Sequence, residues 1–314
     1  MMCGRKVLVA GGSGLVGMNL AKRLVKDGAR VLASYYSREP RELNEVFRRF
    51  DFTSFDDCIS ATRGQDCVFL CAAHIFGAEA VKARPTAFIL PNLQINAGLL
   101  EACSVNRVER VLLISSSTVY HEAFHPLAED ELDLNAPPYP LYFGVGWLNR
   151  YLEQLAALYQ QKHGLRVAIV RPTSIYGPHD SFEDGKAHVV PALIKRALRK
   201  ENPFVVWGNG GEVRNFLYVE DLVDDLLLLA GNDRQGEPIN VDSGEDLTIR
   251  EAAQQVLAAS GHDVELQFDP TKPTAIPYRA LNCTKAAVLL GPRPRTRFAE
   301  GVRKTIEWYQ STLT

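Results

Sequence analysis

Three hundred and fourteen residues make about two domains' worth of chain, or one large α/β domain with an appendage, and can bury a core without disulfide or metal staples. Thirty-five Lys and Arg stand against 37 Asp and Glu, a formal net charge of −2, which excludes a strongly basic nucleic-acid surface as the organising feature. With 46% hydrophobic and 23% charged residues disorder is excluded as well, and no apolar run approaches the roughly 18–20 residues of a membrane span.

The first residues, MMCGRKVLVAGGSG, pass from a basic pair straight into a strand-like run and glycines, which does not read as a signal peptide. The six cysteines lack paired CxxC spacing, so neither a disulfide framework nor a metal site is expected, and a reducing, cytoplasmic setting is. Along the chain, KVLVA is followed by the helical pattern LVGMNLAKRLVKDG. Further strands are expected from Arg30, Arg48, Cys67, Arg110 and Arg166, with helices over 88–104 and 147–163 between them. Continuous apolar strands alternating with helices imply an α/β fold, a doubly wound parallel Rossmann sheet covered on both faces. After Arg171 prolines punctuate shorter elements: a helix over 187–200, a capping box at Thr248 and Glu251, and a terminal helix over 298–309. The expected division is a dinucleotide-binding domain over 1–171, to which 213–240 returns, and a smaller substrate-binding lobe over 172–314.

GGSGLVG places Gly11, Gly14 and Gly17, with Ser13, Leu15 and Val16, directly after the first strand and at the opening of the first helix. Glycine is needed there for a tight turn, for approach of a pyrophosphate to backbone N–H groups, and for close helix–strand packing. At the end of the second strand an acid would hold the 2′-hydroxyl of NAD. This chain has Ser37 and Arg38, which would bind a 2′-phosphate instead, so NADP(H) is favoured and NAD(H) stays open; Arg38 also reads as an ordinary surface charge. Asp51 and Phe52 are placed to meet the adenine edge.

The glycine spacing, CAAH at 71–74, SSSTVY at 115–120 and RPTSIYGP at 171–178 resemble the extended short-chain dehydrogenases of the NAD-dependent epimerase/dehydratase family, which modify nucleotide sugars. A longer block, DSFEDGKAHVVPALIKRAL followed by VVWGNGGEVRNFLYVEDL, is similar to the GDP-L-fucose synthase group. The resemblance implies a ketoreductase acting on a nucleotide-linked 4-keto-6-deoxy sugar, with partial epimerase activity. Two alternatives remain: a redox-neutral epimerase retaining NAD, and a catalytically weak protein that reduces another ketone or only binds dinucleotide.

By that resemblance Ser116 binds the reacting oxygen, Ala72, Ala73 and Pro172 line the cofactor, and His188 is the epimerising acid. Thr118 occupies the slot of a companion cysteine, and a threonine hydroxyl is too weak an acid for that work. Trp207 and Arg214 correspond to nucleotide-base and diphosphate contacts. The family's Tyr-xxx-Lys pair is broken. Tyr142 is followed four residues later by Gly146, while counting back from Gly164 puts the pair at Val145 and Asn149. Tyr142 then supplies the phenol from one turn earlier, with Asn149 on the cofactor ribose. A homodimer through a four-helix bundle is expected, on a face carrying Leu93, Ile95, Leu99, Leu100, Leu148, Leu152, Leu155 and Leu158.

Overall fold

The computed structural model describes residues 2–74, 84, 86–185, 187–232, 236–272 and 274–313. Six strands come first: β1 (Lys6–Ala10), β2 (Arg30–Tyr35), β3 (Phe47–Arg49), β4 (Cys67–Leu70), β5 (Arg110–Ile114) and β6 (Val167–Pro172). β7 (Ser174–Tyr176), β8 (Phe204–Trp207) and β9 (Val213–Tyr218) leave their sheet, and β10 (Ile239–Val241) rejoins it. β11 (Asp246–Thr248), β12 (Leu266–Asp269) and β13 (Tyr278–Arg279) end the series. The large sheet has the order β10-β6-β5-β4-β1-β2-β3, with parallel pairing throughout. Its order reverses between β1 and β4, so a crevice opens beyond their carboxyl ends.

The helices are α1 (Leu15–Lys26), α2 (Phe55–Thr62), α3 (Ile89–Val105), α4 (Phe143–His163), α5 (Val189–Leu198), α6 (Val219–Ala230), α7 (Ile249–Ser260), α8 (Thr284–Leu290) and α9 (Phe298–Ser311). Period-two alternation in β1 splits the core. Val7 and Val9 pack with Leu20 and Leu24 of α1 and Leu222 and Leu226 of α6; Leu8 and Ala10 face Leu99 of α3 and Leu152 of α4. In the smaller sheet β9 pairs with β7 and β13 in parallel and with β11 antiparallel, while β8 pairs β12 separately. The chain from α6 to β10 thus lies with the large sheet, whereas β9 stays outside it.

The boundaries differ from expectation where side-chain packing outweighs local pattern. α4 starts at Phe143 rather than at 147, and α5 is shorter at both ends. The bundle face is a larger correction. Ile95, Leu99, Leu100, Leu148 and Leu152 are buried against the sheet, and Leu93 and Leu155 lean on the same core. The apolar side chains α4 leaves outside are Phe143, Trp147, Tyr151 and Leu158, joined by Leu90 of α3. Leucines at helical spacing went inward because the parallel sheet needs cover on both faces.

A buried ion pair fastens the site to this frame. Arg171 of β6 donates to both oxygens of Glu153 on α4, at 3.0 and 2.7 Å, and both side chains are 4% exposed. Glu153 also accepts from Ser115 at 2.5 Å, and Arg171 from its other arm meets the Tyr120 hydroxyl at 2.8 Å. Tyr120 donates in turn to Asn240 of β10 at 2.7 Å, and burial pushes its phenol up to about 12. Glu153→Gln leaves a buried guanidinium short of its counter-charge and should cost about 3–5 kcal/mol. Urea unfolding should show a lower midpoint at unchanged slope, and the double variant E153L/R171M should recover most of the loss.

Candidate active site

The glycine loop is shaped by its neighbours at two positions and left open at a third. Gly11 has φ +80°, and a Cβ there would lie 2.5 Å from the Ala72 Cα; one on Gly17 would lie 2.2 Å from the Gly11 carbonyl oxygen. A Cβ on Gly14 would meet only that carbonyl, at an ordinary 3.5 Å, so nothing in the protein demands glycine there. The first turn of α1 carries no acid, and Gly14, its N-cap, offers no side chain to the free N–H groups. Room above Gly14 together with unpaired N–H groups fits the pyrophosphate of a dinucleotide. Ser13, Leu15 and Val16 surround this opening, half-buried.

Ser34, buried at the end of β2, accepts from the Gly11 N–H at 2.7 Å and so braces the loop. Ser37 and Arg38 follow on the exposed rim, where Arg38 donates to the His179 carbonyl at 3.2 Å. Asp51 is held by Thr53, whose hydroxyl and N–H keep its carboxyl below the usual range. Phe52 stacks on Phe50 inside the core, which leaves only its backbone to meet a ligand. Ala72 and Ala73 leave β4 on a segment that Asn92 brackets, accepting from the N–H and donating to the C=O of His74. Pro172 is buried at the end of β6.

The Ser116 turn is set directly on α4. Ser116 caps a short 3-10 turn and accepts from the Thr118 N–H at 3.1 Å, so its own proton remains available to a ligand. Thr118 Oγ1 is buried without a hydrogen-bond partner among the described residues. Arg150 donates to the Val119 carbonyl at 2.7 Å, and Gly146 lies so close that a Cβ would stand 2.5 Å from the Thr118 carbonyl oxygen. That contact explains half of the broken motif: on the Tyr142 register no lysine fits at position 146. Val145 and Asn149 stand half-buried beside this face, and the Asn149 side chain has no hydrogen-bond partner among the described residues.

Tyr142 immediately precedes α4, and its ring lies 4.2 Å from the Arg279 guanidinium. Arg279 of β13 is in register with Arg214 of β9, and burial pushes it down to about 10. Arg214, 7% exposed, is lowered by burial too and, among the described residues, its side chain donates only to the neighbouring Val213 carbonyl. Glu212 acts on Arg214 from a distance, but neither guanidinium is paired with a carboxylate among the described residues, and two such groups side by side can hold an anion. Sequence reasoning missed Arg279, because only strand pairing brings it beside Arg214. Trp207 is half-exposed on β8, and His188, the N-cap residue of α5, stands 3.8 Å from Asp180.

The loop after β7 closes over the cofactor side: Asn19 of α1 donates to the Pro178 carbonyl at 2.9 Å, as Arg38 does to His179. The His179 ring is tilted against Trp308, with centroids 4.9 Å apart, and burial lowers it from 6.5 to about 4. The folded state therefore resists a proton that the unfolded chain accepts, and stability falls as pH drops from 6.5 towards 4, by about 3 kcal/mol at most. His179→Asn, tolerated at the φ of +71°, should flatten that part of the stability–pH curve relative to wild type in denaturant titrations.

The comparisons with known proteins agree with this geometry. Residues 7–242 match the model of a family described as the NAD dependent epimerase/dehydratase family. The probable GDP-L-fucose synthase 1 of Oryza sativa subsp. japonica is 32% identical, over 98% of this chain and 92% of its own length. A dTDP-4-dehydro-6-deoxy-D-allose reductase of Streptomyces sp is 30% identical, over 98% and 97%. Among solved structures, the UDP-glucose 4-epimerase of Thermotoga maritima with UDP-glucose superposes with a TM-score of 0.88 at 25% identity, covering 98% of this chain and all of that one. Among the described residues no helix is long and apolar enough to cross a membrane.

Proposed function

The chain belongs to the NAD dependent epimerase/dehydratase family, and we propose that it works there as an NADP(H)-dependent ketoreductase on a nucleotide-linked 4-keto-6-deoxy sugar. The observation that carries this reading is the Tyr142 ring against Arg279 of the Arg214–Arg279 pair, at the start of the helix on which the Ser116 turn presses, with a glycine loop that has room for a pyrophosphate. Arg214 and Arg279 would hold the sugar's diphosphate, Trp207 the base, and Thr118 Oγ1 a sugar hydroxyl. Gly11 to Gly17, Ala72, Ala73 and Pro172 would line the dinucleotide, and Asn149 its ribose. When bound, the reduced dinucleotide supplies hydride. Ser116 donates its free hydroxyl proton to orient the ketone oxygen, and Tyr142 gives that oxygen its phenolic proton. Once solvent base has taken the proton from the carbon beside the ketone to leave an enolate, His188 protonates that carbon and is recharged from solvent; since Thr118 cannot share that work, epimerisation is partial.

The missing lysine decides direction. A nearby ammonium would favour a phenolate, and neutral Asn149 does not. Giving a proton to a ketone needs only the neutral phenol, whereas oxidising an alcohol needs a base to take one. Reduction should therefore run at neutral pH and oxidation only slowly, in assays with GDP- and dTDP-linked 4-keto-6-deoxyhexoses. Tyr142→Phe should abolish reduction, and Asn149→Lys should speed oxidation more than reduction. Full reduction by Y142F would overturn the assignment of Tyr142. A second reading, a dinucleotide binder with little turnover, draws on the same neutral Asn149; it predicts that neither sugar is turned over while dinucleotide still binds.

Cofactor choice rests on Arg38 and Ser37. A bound 2′-phosphate would compete with the His179 carbonyl for the Arg38 guanidinium and should win, because a charged acceptor makes the stronger bond. NADPH should bind tighter than NADH in fluorescence titrations. Arg38→Ala should remove roughly 1.5–3 kcal/mol from the phosphorylated cofactor alone.

Assembly is proposed as a homodimer through α3 and α4, with Phe143, Trp147, Tyr151 and Leu158 at the contact in place of the inward leucines. Light scattering at micromolar concentration should give twice the chain mass, and Trp147→Glu with Tyr151→Glu should give the monomer.

A further inference from the structure

We infer that Asp180 is the positioning residue of His188, holding the imidazole by Nδ1 so that Nε2 is the atom offered to the sugar. This rests on the reading above, in which His188 gives a proton to carbon beside the ketone. Asp180 is 5% exposed, on the loop after β7, and its two oxygens are unequally satisfied. Oδ1 accepts the Ser181 N–H at 2.7 Å and stands 3.8 Å from His188 Nδ1. Oδ2 is buried with no hydrogen-bond partner among the described residues. A buried carboxylate oxygen left alone is costly, and an imidazolium N–H is the nearby group able to relieve it.

The other charged groups of the two elements that meet here are turned elsewhere. Lys195 of α5 is bonded to Asp184 and to the Phe182 carbonyl, each at 2.8 Å. Arg196 pairs with Glu201. His179, next to Asp180, faces Trp308 and Glu42, and Glu183 stands further along the same loop. His188 itself is half-exposed, and its Nε2 has no partner among the described residues. A gap of 3.8 Å is longer than a hydrogen bond, and a turn of the ring about its side chain closes it; such contacts tighten when substrate binds. The Asp180 carboxylate raises the His188 pKa above its usual 6.5, which keeps the acid charged nearer neutral pH.

Asp180→Asn tests this, because the amide oxygen still accepts from Ser181 while the charge is gone. Two readouts are needed: titration of His188 by NMR of its ring Cε1–H, and the pH profile of solvent-deuterium uptake beside the ketone of a GDP-linked 4-keto-6-deoxyhexose. In D180N the His188 resonance should titrate at lower pH than in wild type. The alkaline fall in deuterium uptake should move the same way, kcat should drop more than KM rises, and Asp180→Glu should restore the profile. An unmoved His188 titration in folded D180N, with thermal unfolding as in wild type, overturns the inference. A titration that moves while deuterium uptake survives His188→Asn upholds the Asp180–His188 coupling and removes the assignment of His188 as the acid.

Discussion

The bidentate pair between Arg171 and Glu153 is the interaction on which the site depends. It joins β6, the strand next to the edge of the large sheet, to the helix that carries Gly146 and Asn149, and through Ser115 it reaches the residue before the Ser116 turn. Its other arm, by way of Tyr120 and Asn240, ties the edge strand β10 to the same node. Two charges at 4% exposure are stable only with every lone pair and N–H engaged, so the node tolerates one geometry. The position of Ser116 follows from that intolerance.

Around this node the two halves of the site are built by different means. The cofactor side is made of backbone: close approaches at Gly11 and Gly17, a brace from Ser34, and open space at Gly14. The side around Tyr142 is made of side chains brought from far apart in the chain, with Arg214 and Arg279 meeting across paired strands and Tyr142 lying against Arg279. The loop after β7 links the halves, since its Pro178 and His179 carbonyls accept from α1 and from the rim beyond β2.

The departure at the Tyr-xxx-Lys motif has a local cause on one register. Where Gly146 stands, the helix presses on the Thr118 carbonyl closely enough to exclude any side chain. Where Asn149 stands there is room, and a neutral amide occupies it. Arg214 and Arg279 bring positive charge to the neighbourhood of Tyr142, and the lysine position brings none. That distribution suits donation of a proton better than its removal.

Sequence alone determined what local rules control. The parallel sheet followed from apolar strands alternating with helices, the glycine loop from its spacing after β1, and the capping box at Thr248 from two residues three apart, which the structure forms reciprocally. Tertiary structure decided whatever requires knowing which distant segments touch. Periodicity marked the leucines of α3 and α4 as one apolar face but could not say whether sheet or partner covers it, because both burials select the same residue types. Arg279 was invisible for a similar reason: it lies 65 positions from Arg214, and only the β9–β13 register puts them side by side. The Phe52 side chain belongs to the core, and that too is a matter of which segments pack together. The Asp180–His188 contact and the Arg171–Glu153 node belong to the same class, where charges find partners by the fold's geometry and not by their distance along the chain.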